Sequence, residues 1–266
     1  MRNWPVVALG VVVFVALVGG LALAASCNTN TPKATTVDIV TGIPWNAPES
    51  NVYDLSQNNS VIGTTTLGIE RKDANFVLTQ ATKDPNGNSD ISVINADAST
   101  LKPVSATRTI TDSSQKTLLD VTYSDVGTDQ CSSGKIAHIT QSVFSPPTKA
   151  KPDSKRTIPK CLPDHSYDID ESLFIWRTID FTKGAQVTYN NLATNSGDNH
   201  LVTLTVMDQE KVTVPAGTFN AWLVEVASER SRQKVWFATT PDHRMLQYVN
   251  NQGQSFQLKK AGSNGH

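Results

Sequence analysis

From residue 50 onward the chain alternates side chains with a period of two, and it does so again and again. Val61, Gly63, Thr65, Leu67 and Ile69 fall on one face, and Phe76, Leu78 and Gln80 continue the pattern after a turn at Lys72-Asp73. Leu119, Val121 and Tyr123 alternate with Asp120, Thr122 and Ser124, and Leu201, Thr203, Thr205 and Met207 with Val202, Leu204 and Val206. Turn signals separate the runs at short intervals: Asp84-Pro85-Asn86-Gly87-Asn88, Asp97 to Pro103 and Asn250-Asn251-Gln252-Gly253. Short strands of period two joined by turns specify antiparallel sheet, because tight turns reverse the chain and leave no room for crossover helices.

One segment breaks the period. Ile169, Leu173, Trp176 and Ile179 or Phe181 recur at helical spacing, and Asp168 followed by Glu171 reads as an N-cap with its capping-box partner. A short helix over Ile169 to Ile179 is predicted, covering the concave side of the sheet. The acids Asp164, Asp168, Asp170 and Glu171 lack the alternating spacing and central glycine of a calcium loop, and capping accounts for most of them. The expected fold is therefore mainly β, an antiparallel sheet domain over residues 50–260 with one short helix.

The first 26 residues are of another kind. Arg2 precedes an uncharged run from Val6 to Ala25, and the run ends Ala24-Ala25-Ser26-Cys27. This is the charged start, apolar middle and small-residue end of an export signal. Three outcomes fit: cleavage before a lipid-modified Cys27, retention as an uncleaved anchor, or release of a secreted product. The bacterial lipoprotein signal is the resemblance in that stretch, departing at Ala24 where Leu is usual. Each outcome places residue 28 onward outside the cytoplasm, and the first two make the membrane a partner. Residues 27–49, rich in Thr, Asn and Pro, read as a flexible tether, and 261–266 as a frayed polar tail.

With Cys27 assigned to the signal, Cys131 and Cys161 remain as a pair for an oxidising compartment; two free buried thiols are the alternative. The segment 145–164 is Pro- and Lys-rich and reads as a surface loop. Its Lys149, Lys151, Lys155, Arg156 and Lys160 offer a place for anionic lipid headgroups or cell-wall polymer, or form an ordinary solvated loop.

The stretch Val212 to Val226 breaks its alternation once, at Pro215-Ala216-Gly217. A phosphate loop needs more glycines, a Lys-Ser/Thr pair and a following helix; here the strand resumes. Pro215 sets the first corner position and Gly217 takes a positive φ, so a three-residue hairpin loop is expected. Glu210 to Trp222, with the Val-Pro-Ala-Gly-Thr-Phe core at 214–219, is followed by Lys234-Val235-Trp236-Phe237-Ala238. Together these resemble a family of exported bacterial proteins, domain-of-unknown-function family 3108. Ser99 to Pro103 and the start at Tyr53 and Ile62-Gly63 resemble its earlier elements, while the Pro- and Lys-rich insert departs from it. The resemblance implies a curved antiparallel sheet akin to the lipoprotein-carrier half-barrel that holds acyl chains. It implies no reaction and supplies no catalytic residues.

No nucleophile elbow, zinc helix, dinucleotide loop or Walker loop is present. His138, His165, His200, His243 and His266 are scattered. A formal net charge of −1 gives no electrostatic basis for nucleic-acid binding. No cofactor, metal or catalytic residue is assigned, and the expectation is a non-enzymatic protein. Trp176, Trp222, Trp236 and Phe237 are candidates to line an apolar ligand site on the concave face, with ordinary core packing as the alternative. An envelope interaction module and an extracytoplasmic hydrolase are the competing functions.

Overall fold

The computed structural model describes residues 35–229 and 231–262. The apolar N-terminal run and Cys27 lie outside them. Eight strands form a first meander: β1 (Glu49–Gln57), β2 (Ser60–Lys72), β3 (Asn75–Lys83), β4 (Ser89–Asp97), β5 (Pro103–Thr111), β6 (Lys116–Asp125), β7 (Lys135–Phe144) and β8 (Ser154–Cys161). A short β9 (Ser166–Asp168) leads into a 3₁₀ turn, Ile169–Glu171, then α1 (Ser172–Ile175) and a second 3₁₀ turn, Trp176–Thr178. The second meander is β10 (Gln186–Ala193), β11 (Asp198–Val214), β12 (Gly217–Ser228), β13 (Arg232–Ala238), β14 (Met245–Val249) and β15 (Gln254–Lys260).

These strands form one sheet of 15, in the order β8 to β1, then β15 down to β9. The two meanders join where β1 pairs antiparallel with β15. The sheet is not closed by strand pairing, but its ends approach: Asn199 donates to the Cys161 carbonyl across the gap. Sheet twist and curl on this scale need a filled interior. The chain supplies the filling itself, since residues 166–179 are buried without interruption. The predicted helix thus exists as a plug, but only four of its residues are α-helical, and a segment buried on every side needs no single apolar face. Among the described residues no helix is long and apolar enough to cross a membrane.

Alternation sets the inner face. Phe76, Leu78, Gln80 and Thr82 of β3 are buried, as are Asp90, Ser92, Ile94 and Ala96 of β4. Val61 departs from its expected face and is exposed. A register shift, in which Leu55 faces Gly63 while Ser56 faces Val61, turns it outward.

Three boundaries differ from those expected. Residues from Val37 to the start of β1 are a docked strap, not a tether: Ile39 and Trp45 are buried, Val37 N–H donates to the Thr188 carbonyl, and Thr41 Oγ1 donates to the Thr178 carbonyl at 2.6 Å. Two large apolar side chains, each worth roughly 1.5–3 kcal/mol on burial, suffice to hold it down. Residues 154–161 of the Pro- and Lys-rich segment form edge strand β8, because β7 offers an unpaired edge and Pro159 is tolerated on an outermost strand. The loop shrinks to 145–153, with Lys149 paired to Asp153. At the C-terminus Gly262 is still held, its carbonyl accepting from Ser50 N–H at 2.8 Å, and residues 263–266 lie outside the described part.

The hairpin is tighter than expected. Val214 pairs with Gly217, so only Pro215 and Ala216 form the loop, and Gly217 opens β12 with φ +134°. Ala216 N–H donates to the Leu258 carbonyl, fixing the corner on β15.

Candidate functional site

A cleft of about 410 Å³ opens at one end of the first meander. The β4–β5 turn, the end of β6, the start of β7 and the crossover from β8 to β9 surround it. Val104, Ile136, Leu162 and Pro163 give it apolar walls; Lys102, His165, Ser124 and Ser133 give it hydrogen-bonding groups. The turn is shaped by Asp97, whose Oδ1 accepts from the backbone N–H of Ser99 (3.0 Å) and Thr100 (2.9 Å) and from both hydroxyls. Those bonds, Ser99's hydroxyl foremost, hold the Asp97 pKa down at about 2.

The strap reaches this rim. Asp38 Oδ1 lies 2.5 Å from Lys102 Nζ and 3.1 Å from His165 Nδ1. Lys102 also sits 3.8 Å above the Tyr167 ring. Burial lowers the Lys102 pKa despite the carboxylate beside it. Burial also opposes ionisation of Asp38, but hydrogen bonds from Lys102 and His165 outweigh it and its pKa is lowered.

Behind the cleft wall lies a buried polar cluster. Tyr123, on the wall, donates through its hydroxyl to Asp168 Oδ2. Asp168 caps the first plug turn: its Oδ1 accepts from Asp170 N–H at 2.9 Å, and its own N–H donates to Glu171 Oε1 at 2.7 Å. The capping box read from sequence is therefore formed. Arg108 holds Asp90 with two bonds, Nε to Oδ1 at 2.8 Å and a terminal nitrogen to Oδ2 at 2.6 Å, and its other terminal nitrogen lies 3.3 Å from Asp170 Oδ1. Burial, then the neighbouring Asp170 charge, pushes the Asp168 pKa up to about 7. Burial also raises Asp170, although Arg108 pulls the other way, and raises Glu171 well above the carboxylate range. Arg108 stays a guanidinium, held by Asp170 and Asp90 against its burial. None of these three acids lines the cleft.

The far end of the plug has a second latch. Arg177 donates to both oxygens of Glu49 at 2.8 and 3.1 Å, and to the carbonyls of Asp242 and His243. Two buried arginines thus fasten the plug, one at each end.

The four aromatic candidates are not brought together. Trp176 is buried in the plug, its Nε1 donating to the Tyr189 hydroxyl at 2.8 Å, beside a small pocket of about 30 Å³. Phe237 is buried and packs edge-on against Phe181 at 5.5 Å. Trp222 is half-buried opposite it. Trp236 precedes Phe237 in the strand, so it takes the other face, where it donates to Glu210. None of them lines the 410 Å³ cleft. Cys131 and Cys161 form a disulfide next to the cleft, pinning the β6–β7 loop to the end of β8.

Sequence reasoning missed Arg108, Asp90, Glu49 and Arg177 as site-builders. The signal was present for two of them: Asp90 is in phase with Ile94 and Ala96, and Arg108 with Ala106, so charges occupied core positions of their strands.

A single sheet, antiparallel except for the short β9–β10 pair, wrapped around its own buried helical segment and with a cleft at one strand end, defines a β half-barrel class of protein. Residues 52–252 match the DUF3108 family, described as a protein of unknown function, and the chain belongs to that family. No curated protein matches the chain significantly. Among solved structures, a Bacteroides fragilis protein described as having a YmcC-like fold is similar at 8% identity, covering 84% of this chain and 100% of its own. Its TM-score of 0.32 is a weak likeness and carries no inference about this chain.

Proposed function

We propose that the protein is exported, held at a membrane through Cys27 or an uncleaved apolar segment, and binds a small amphipathic molecule in the cleft. The observation that carries this reading is the cleft itself: about 410 Å³, with apolar side chains facing a rim of hydrogen-bonding groups. That volume and mixture suit a small-molecule site. The concave interior is a poorer candidate, because the plug already fills it. The Cys131–Cys161 disulfide supports an oxidising compartment. The reading assigns no reaction, since the three acids with raised pKa, Asp168, Asp170 and Glu171, sit behind Tyr123 and do not line the cleft.

Native mass spectrometry tests it. The chain from residue 28 is exported in a bacterial host and purified without detergent. The expected result is a co-purifying mass that is released on denaturation and lost in Ser124→Trp, which fills the cleft from an exposed position. A mass retained in that variant moves the ligand elsewhere, and an apoprotein mass throughout favours an envelope interaction module.

A further inference from the structure

We infer that the strand end bearing the cleft faces the bilayer, so that the cleft opens onto the lipid headgroup layer. The inference rests on the tether reading above. It starts from where the chain leaves the body. Val37 is bonded to Thr188, and the next residue, Asp38, is ion-paired to Lys102 and His165 on the cleft rim. The path to Cys27 therefore departs beside the cleft rim.

Chain length then restricts the orientation. Val37 lies ten positions after Cys27, and ten residue steps span at most about 33–36 Å when fully extended. Strand β2, with 13 residues, runs about 40 Å from one end of the sheet to the other at roughly 3.3 Å per residue. Only a fully extended tether would approach the far strand end, so a lipid on Cys27 holds the cleft end nearer the bilayer.

The surface chemistry agrees. Only three large apolar side chains among the described residues are prominently exposed: Val37, Val104 and Val61. Val37 and Val104 lie at the cleft end, one in the strap and one in the cleft wall. Val61 lies at the opposite end, because β2 begins there and β5 begins at the cleft. The cleft end is not basic: Lys102 is paired to Asp38 and Lys135 to Asp125, while Asp97 and Asp164 add negative charge. Contact with lipid is then short-range and held by the tether, not by attraction to anionic headgroups. Lys149 and Lys151, in the loop after β7, belong to the end away from the bilayer.

The test compares two positions on the membrane-bound protein. Full-length Val104→Cys and Val61→Cys are each labelled with a thiol-reactive fluorophore and reconstituted into phosphatidylcholine vesicles carrying a headgroup spin-labelled lipid. Both sites are exposed, so neither label disturbs the core. The expected result is quenching at least threefold stronger at 104 than at 61, unchanged when anionic lipid is added. Equal quenching at both sites, or stronger quenching at 61, overturns the inference. If the full-length protein does not float with vesicles, the tether reading fails separately. The comparison is then repeated with the chain from residue 28 bound through an N-terminal histidine tag to a nickel-chelating lipid, where equal quenching again overturns it.

Discussion

Tyr123 and Asp168 are joined by a hydrogen bond from a cleft-wall hydroxyl to the capping carboxyl of the buried plug. That bond ties the surface of the candidate site to the segment that fills the sheet. Its acceptor is a carboxyl whose pKa burial raises to about 7, so the charge at this link changes with pH.

Stability is expected to fall as pH rises from about 4 to about 7. Asp168 has a folded pKa near 7, above its unfolded value of 3.8. In that window the folded state binds more protons than the unfolded one, so raising pH favours unfolding, by up to about 1.4 kcal/mol per unit for each full proton. Glu171 is raised as well and acts in the same direction. Urea titrations at several pH values check this. Asp168→Asn keeps the capping oxygen and should flatten part of the slope; an unchanged slope would show that Asp168 is not the titrating group.

Arg108→Met should cost about 3–5 kcal/mol, because it leaves Asp90 and Asp170 buried without their counter-charge. Adding Asp90→Asn should recover part of the loss. Chemical denaturation of both variants measures it, and a loss under 1 kcal/mol for Arg108→Met would mean that the two carboxyls are already neutral.

Gly217→Val should destabilise the domain by roughly 1–3 kcal/mol, since a β-branched residue resists the φ of +134° found there. Space is not the obstacle: an added Cβ would meet the Phe219 ring at 3.6 Å, an ordinary contact. The thermal midpoint is the readout, and a value equal to wild type would place Gly217 in a different backbone conformation.

Cys27→Ser should shift the protein from the membrane fraction to the soluble fraction if Cys27 carries the lipid. Fractionation of expressing cells decides the matter, and unchanged membrane retention would assign anchoring to the apolar segment itself.

The period of two in β3, β6 and β11 made the sheet legible in the sequence, because alternation is a local property of each strand. The capping box at Asp168 and Glu171 and the corner at Pro215 were legible for the same reason: each depends on neighbours within a few residues. The pairing of β1 with β15 was not, since no local signal says which strand edge meets which. Nor was the strap. Ile39 and Trp45 sit in a polar, Pro-containing stretch, and only the finished sheet offers the surface that buries them. The cleft rim joins Asp38, Lys102 and His165 from three distant parts of the chain, and the plug latch joins Asp90, Arg108 and Asp170 in the same way. The sequence by itself determined the strands, the turns and the helical interruption, all fixed by short-range backbone and side-chain preferences. Only the tertiary structure decided which charges would be buried together and where the cleft would open, because burial and counter-charge depend on how the whole sheet curls around residues 166–179.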